Sequence, residues 1–273
     1  MKKNRVYSYI LIHALLALVG FIMVFPFLWM LSTSLKTGTD IYSFSLIPKQ
    51  VYFQNYLTVL QTSNFAKWFI NSLVIAVITV ISVLFFDSLV GYAFARLEFK
   101  GKKISFLAIL STLMVPTEML IIPWFLMINR FGWFNSYWAL LFPGLSSAFG
   151  IFMMRQFFMS IPEDLLDAGR IDGLSEFGVY WHVALPLVKP ALSALGIFTF
   201  LGNWNAFLWP VIAVDDPNIY TLPVGLSLFS GEVYNQWDLI MAGATIATVP
   251  VLIVFFIFQK KIIEGIHLTG VKG

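Results

Sequence analysis

Ser160-Ile-Pro-Glu-Asp-Leu-Leu-Asp-Ala-Gly-Arg-Ile-Asp-Gly-Leu-Ser-Glu-Phe-Gly-Val-Tyr-Trp-His-Val-Ala-Leu-Pro-Leu-Val-Lys-Pro190 is the longest soluble-looking stretch in an otherwise lipid-compatible chain. It gathers Glu163, Asp164, Asp167, Asp172 and Glu176 in a protein with only 14 acidic residues. Ser160, Pro162 and Glu163 read as a helix start: a capping Ser, a Pro whose missing N–H costs nothing, and a Glu three residues on from the Ser. The acids then lie near the positive end of the helix dipole and Arg170 toward the negative end. Asp172-Gly173 is a helix breaker. Leu174, Phe177 and Trp181 predict one face of a second short helix, fenced by Pro186 and Pro190. The segment is therefore expected as a helix-turn-helix outside the bilayer, with Ala168 and Gly169 small enough for a partner to approach closely.

On either side of it the composition excludes a soluble globule. The 273 residues are 59% hydrophobic and 11% charged, against about 25% charged in soluble domains. Apolar runs of membrane-crossing length fall at about 6–35, 69–95, 104–128, 138–154, 187–214 and 239–258, each long enough for a spanning helix, which needs at least about 17 residues. The basic start at Lys2, Lys3 and Arg5 imitates a signal peptide, but the run behind it is longer than the 7–15 or so residues of such a peptide. An uncleaved first span is expected, with Pro26 inside it. Pro116 and Pro123 interrupt the third. The fold class expected is an all-α polytopic membrane protein, one permease domain over residues 1–273, with six transmembrane helices and the helix-turn-helix (160–186) between spans four and five.

Charge asymmetry orients it. With the N-terminus in the cytoplasm, Arg96, Lys100, Lys102, Lys103, Arg155, Arg170, Lys189, Lys260, Lys261 and Lys272 join the N-terminal cations on the inside. Only Lys36, Lys49, Lys67 and Arg130 remain outside. The positive-inside rule then places both termini and the helix-turn-helix in the cytoplasm. The chain has no cysteine, which rules out disulfides and thiolate chemistry. His13, His182 and His267 are too scattered to form a metal site. A net charge of +3 gives no reason to expect nucleic acid.

Asp167-Ala168-Gly169, three further residues, Gly173, and then Leu185-Pro186 resemble the cytoplasmic loop of permease subunits in binding-protein-dependent ABC importers. The family pattern is Glu-Ala-Ala, three residues, Gly, and Leu-Pro about a dozen residues on. Asp167 and Gly169 depart from it but keep charge and small size; Gly169 should weaken the helix by about 1 kcal/mol relative to Ala. The likeness covers nearly the whole chain. Phe25 to Lys36, Pro143-Gly144, Phe152 to Phe158, Leu201 to Pro210, Tyr220 to Gly225 and Val271-Lys-Gly273 are similar to the carbohydrate-importing branch, and most of all to the smaller permease of the maltose-type pair. An acid is common in the family where Ala206 stands.

The resemblance implies a second homologous permease sharing one pore, an ABC ATPase dimer beneath it, and an extracytoplasmic sugar-binding protein, met by the loop 215–237. No Gly-x-x-x-x-Gly-Lys-Ser/Thr is present, so the chain has no phosphate cradle of its own. No cofactor is expected in it; ATP and Mg belong to the partner ATPase. The implied ATPase-coupling residues are Glu163, Asp167, Ala168, Gly169, Arg170, Asp172, Gly173 and Leu174, with Lys272 and Gly273 of the tail as further contacts. The pattern alone equally allows an interfacial amphipathic element, and the tail a frayed terminus.

Within the spans, Asn203, Trp204 and Asn205 suit sugar binding, amides for hydroxyls and a ring for C–H faces. They also suit interhelical hydrogen bonding, the reading preferred here because the resemblance places most sugar contacts in the partner permease. Glu118 is a cavity candidate, because intramembrane acids normally face water or a partner; Asp87 is another, or it pairs with Arg96. A secondary transporter or channel is the competing function. No hydrolase triad spacing supports an enzyme.

Overall fold

A run of apolar residues from Phe65 to Arg96 forms a single 32-residue helix, the best buried of the long spans. The computed structural model describes residues 2–62, 64–230 and 236–270, with side chains described over 9–61, 64–230 and 236–259. Every element among them is helical. Tyr9–Ser34, Phe65–Arg96 and Trp237–Gln259 are long and apolar enough to cross a membrane as single helices, and three bent helix pairs raise the number of candidate spans to as many as six.

Two compact units divide the chain, Met1–Ala66 with Gly225–Val249, and Lys67–Val224 with Pro250–Gly273. The first holds α1 (Lys2–Ser34) and α2 (Gln54–Thr62). No part of the apolar window of α1 is buried within the chain. Its end is tied down tightly: Asn55 Nδ2 donates to the Ser34 and Lys36 carbonyls. Lys36 is fully buried. Its ammonium donates to the carbonyls of Ser43 (3.2 Å) and Ser45 (2.6 Å) and lies 5.0 Å from the Trp29 ring centre, so all three N–H groups are used. Asp40 accepts from Lys49 N, which holds its carboxyl below the ordinary range. Lys36→Met is expected to cost about 1–3 kcal/mol by stranding those carbonyls, read as faster proteolysis of the 38–50 loop in the purified protein.

The second unit holds α3 (Phe65–Arg96) from Lys67 onward, then α4 (Lys102–Thr112) and α5 (Ile121–Arg130), bent by 95°. Pro116 lies at that break, extended at φ −57° and ψ 133°, because proline cannot donate into a helix and disfavours it in the preceding residue. In the fourth span the segment Tyr137–Gly144, which begins with α6 (Tyr137–Leu141), and α7 (Ala148–Met159) are bent by 41° at a break over residues 145–147, and Ser147 caps α7 by accepting from Gly150 N. That break was not expected from the sequence. Gly91 lets α3 and α7 touch: a Cβ there would sit 2.8 Å from Met154 Cβ, the close approach that small residues allow in membranes.

Next come α8 (Glu163–Ile171), α9 (Glu176–Val179), a π turn (Tyr180–Ala184) and α10 (Leu185–Leu187). The fifth span follows as α11 (Lys189–Trp204), bent by 81° from the segment before it, and α12 (Leu208–Ala213) lies beyond. Pro190 sits in the first turn of α11, where its absent N–H is no loss. α13 (Leu222–Ser227) and α14 (Trp237–Gly270) close the chain. One core of Tyr92, Met154, Phe158, Leu166, Val179, Tyr180 and Leu195 joins α3, α7, α8, α9 and α11. The helix-turn-helix is therefore built onto the spans by its apolar side.

Candidate functional site

The start of α8 differs from its expected form. Pro162, not Ser160, is the N-cap, with no side-chain cap bond, and Ser160 Oγ donates back to Phe157 O at 2.7 Å. Glu163 is freed from capping by this arrangement and serves as an ion-pair acceptor. Its two oxygens meet Arg96 (2.5 Å) and Arg170 (2.9 Å). Arg170 also reaches Asp167 (2.6 Å) and Glu176 (2.8 Å). These acceptors, Glu176 first, hold its guanidinium protonated even more firmly than usual.

The turn behind α8 is set by backbone geometry. Gly173 adopts φ +84°. Its N–H donates to Arg170 O, and Leu174 N–H to Gly169 O, the paired bonds of a Schellman C-cap. A Cβ on Gly173 would meet nothing within 4 Å. Gly169 plays a different part from the one expected. It is buried, and a Cβ there would lie 3.1 Å from Val183 and 3.5 Å from Leu174 and Val179. Its smallness serves packing between the two helices, while Ala168 and Asp172 remain exposed. Leu174 precedes the second helix, and Ser175 caps it.

Phe177 and Trp181 stack at 6.3 Å on the outer side, 55% and 46% exposed. Ile171, at the tip beside Gly173, is 86% exposed. The tip is therefore an exposed apolar patch rimmed by acids.

Among the intramembrane candidates the structure separates Trp204 from its neighbours. Trp204 is 3% exposed, edge-on to Phe69 (5.4 Å) and stacked on Phe200 (5.7 Å); it is a core ring, which corrects the expectation of a sugar-facing one. Asn205 is exposed and donates to Leu201 O. Glu118 is exposed on the 3₁₀ turn Thr117–Leu120 at the break of the third span. Asn203 lines a cavity of about 210 Å³ with Thr117, Trp124, Ala206, Trp209 and Thr221. Trp124 and Trp209 meet edge-to-face at 5.5 Å, and the Thr221 hydroxyl is buried without a partner. Trp209 and Thr221 lay in the quoted Leu201–Pro210 and Tyr220–Gly225 runs; nothing in the sequence pointed to Trp124. Asp87 does not pair with Arg96. Its oxygens accept from Ser146 Oγ, Ser147 Oγ and Ser147 N. Lys272 and Gly273 lie outside the described residues.

Broken helical spans with a helix-turn-helix packed onto them define a multi-pass helical membrane protein. Residues 87–267 match the binding-protein-dependent transport system inner membrane component, and the chain belongs to that family. It is 36% identical over 261 residues to the arabinooligosaccharides transport system permease protein AraQ of Bacillus subtilis (94% of this chain, 93% of the relative). It is 32% identical over 262 residues to the trehalose/maltose transport system permease protein MalG of Thermococcus litoralis (94% of each). The fold matches a chain of a bacterial ABC transporter involved in the import of the acidic polysaccharide alginate, with TM-score 0.84 at 24% identity over 95% of this chain and 98% of that one. The resemblance drawn from residues 167–186 therefore holds.

Proposed function

We propose that the chain is one of two permeases in an ATP-driven importer of a sugar or oligosaccharide, and that its helix-turn-helix docks in a cleft of the partner ATPase. Both termini face the cytoplasm, as the distribution of Lys and Arg requires. The observation that carries the reading is the exposed tip of Ile171, Phe177 and Trp181 on an element whose other side is locked into the spans. ATPase closure would move that element as a rigid body. The contact surface is Asp167, Ala168, Ile171, Asp172 and Gly173, while Glu163, Gly169, Arg170 and Leu174 shape it from within. Lys272 and Gly273 are further contacts by family likeness. ATP and Mg stay with the ATPase. The bare apolar window of α1 suits the second permease or lipid, and an extracytoplasmic binding protein delivers the sugar. A cysteine at Ile171, unique in this cysteine-free chain, should cross-link to the ATPase in the assembled complex. A cysteine there that reacts only with lipid-soluble reagents would defeat the reading.

The carbohydrate assignment follows the relatives and suits the Asn203 cavity, where two indoles and the unengaged Thr221 hydroxyl meet. Glu118 and Asn205 flank that path without lining it. Trp209→Ala is expected to raise the KM for uptake about five- to tenfold by removing an aromatic wall, with ATPase assembly unchanged. An unaltered KM would place the sugar elsewhere, in the partner permease.

A further inference from the structure

Ser88, Tyr92 and Arg96 follow one another at intervals of four residues, so they share a face of α3. Each bonds to a different piece of the helix-turn-helix. Ser88 Oγ meets Tyr180 OH at 2.8 Å in the π turn. Tyr92 OH donates to Glu176 Oε2 at 3.3 Å on α9. Arg96 Nη1 reaches Glu163 Oε2 at 2.5 Å at the head of α8. Glu163 and Glu176 are themselves joined through Arg170, so the contacts close a ring: Arg96, Glu163, Arg170, Glu176, Tyr92, and back along α3. Arg96 does more than pair. Its Nε and Nη2 donate to the carbonyl of Phe158 at 3.1 and 2.7 Å, and Nη2 also bonds Ile161 O. It thus holds the C-terminal carbonyls of α7 and the first residue of α8 in one planar fork, which lysine, a point charge with no fork, cannot reproduce. The side chain is only 11% exposed, so water competes little for these bonds.

We infer that Arg96 is the positioning residue that clamps the helix-turn-helix to the second span, making α3, and not only the covalently continuous α7 and α11, part of the body that moves when the ATPase pushes. The chain path alone would allow α8 to swing on the links at Ser160–Pro162 and Asp172–Gly173. The ring removes that freedom by fixing α8 and α9 to a helix more than 60 residues away in sequence. A push at the tip is then delivered to the spanning helix that also carries Asp87, Thr79 and the wall of the intramembrane cavity at Ile75. This rests on the docking reading above.

The test uses the full complex in lipid nanodiscs, with spin labels on cysteines at Glu98 and His182, both exposed and outside the ring. With Arg96 intact, the label distance should be the same in the nucleotide-free and the ATP-trapped states. In Arg96→Gln it should broaden and shift between the two states, and uptake should fall about tenfold or more, while the ATPase remains bound and hydrolyses ATP uncoupled from transport. Arg96→Lys, keeping the charge without the fork, should recover only part of the coupling. A purely structural role would lower the yield of all states alike and leave the distances equal. Unchanged uptake by Arg96→Gln with the ATPase still bound, or a nucleotide-dependent distance with Arg96 intact, overturns the clamp alone. Failure of the unlabelled wild-type chain to hold the ATPase overturns the docking reading and the clamp with it.

Discussion

Gly173→Asp is expected to cut uptake by the assembled transporter about tenfold or more, while the chain still inserts in the membrane in near-normal amount. The argument has two parts. Gly173 stands at φ +84° as the left-handed residue of a Schellman cap, where a residue with a Cβ costs about 1–2 kcal/mol. That cost loosens the turn without unfolding the spans. The space around it is the second part. Nothing in the chain lies within 4 Å of where a Cβ would be, so an added side chain collides with no part of this molecule, only with whatever docks against the tip. Gly173→Asn separates the two effects, because asparagine tolerates the left-handed region and brings no charge. Where the turn alone matters, Asn should restore most uptake. Where a partner must come close, Asn should fail with Asp, and cross-linking from Ile171 to the ATPase should weaken in both. Wild-type uptake by Gly173→Asp would remove this glycine from the coupling surface.

The contrast between what the sequence revealed and what it hid follows the range of the interactions. Hydropathy is a local sum, so the apolar runs were legible, although α11 ends at Trp204 and not at 214; so was the break at Pro116, whose cause is the proline itself. The break at Ser146-Ser147 was not. Two serines in an apolar run carry no helix-stop signal, and what stabilises the break is Asp87, about 60 residues earlier. The turn at Gly173 was legible because the αL position demands glycine locally. Gly169 was read as open to a partner, yet it is packed against Val183, and it is Gly173 that faces open space. The capping box at Ser160 failed because Glu163 found stronger partners in Arg96 and Arg170, a tertiary choice overriding a local one. Trp204 and Trp209 are likewise interchangeable by composition; which ring faces the cavity is decided by the helix ending between them, at Asn205.

Asp87→Ala is expected to destabilise the folded chain by about 2–4 kcal/mol, read as a lower unfolding temperature in detergent and a reduced folded yield. The Asp87 carboxyl is fully buried and accepts Ser146 Oγ at 2.6 Å, Ser147 Oγ at 2.8 Å and Ser147 N at 3.0 Å. Those donors exist because the fourth span is interrupted there, and no water is at hand in a bilayer to replace the lost acceptor. Gly150 supplies the check on this account. A Cβ at Gly150 would collide with the Asp87 carboxyl and come within 2.8 Å of Ser147 Oγ, so Gly150→Ala alone should also destabilise. If the collision with Asp87 is the main reason, the pair Asp87→Ala with Gly150→Ala should be less damaging than the sum of the two, since the methyl then occupies the space the carboxyl leaves. Contacting residues typically show such couplings at about 0.5–3 kcal/mol, whereas independent sites add. Strict additivity would mean that Asp87 and Gly150 do not share the join between α3 and α7, and that the break in the fourth span is held by something other than the acid.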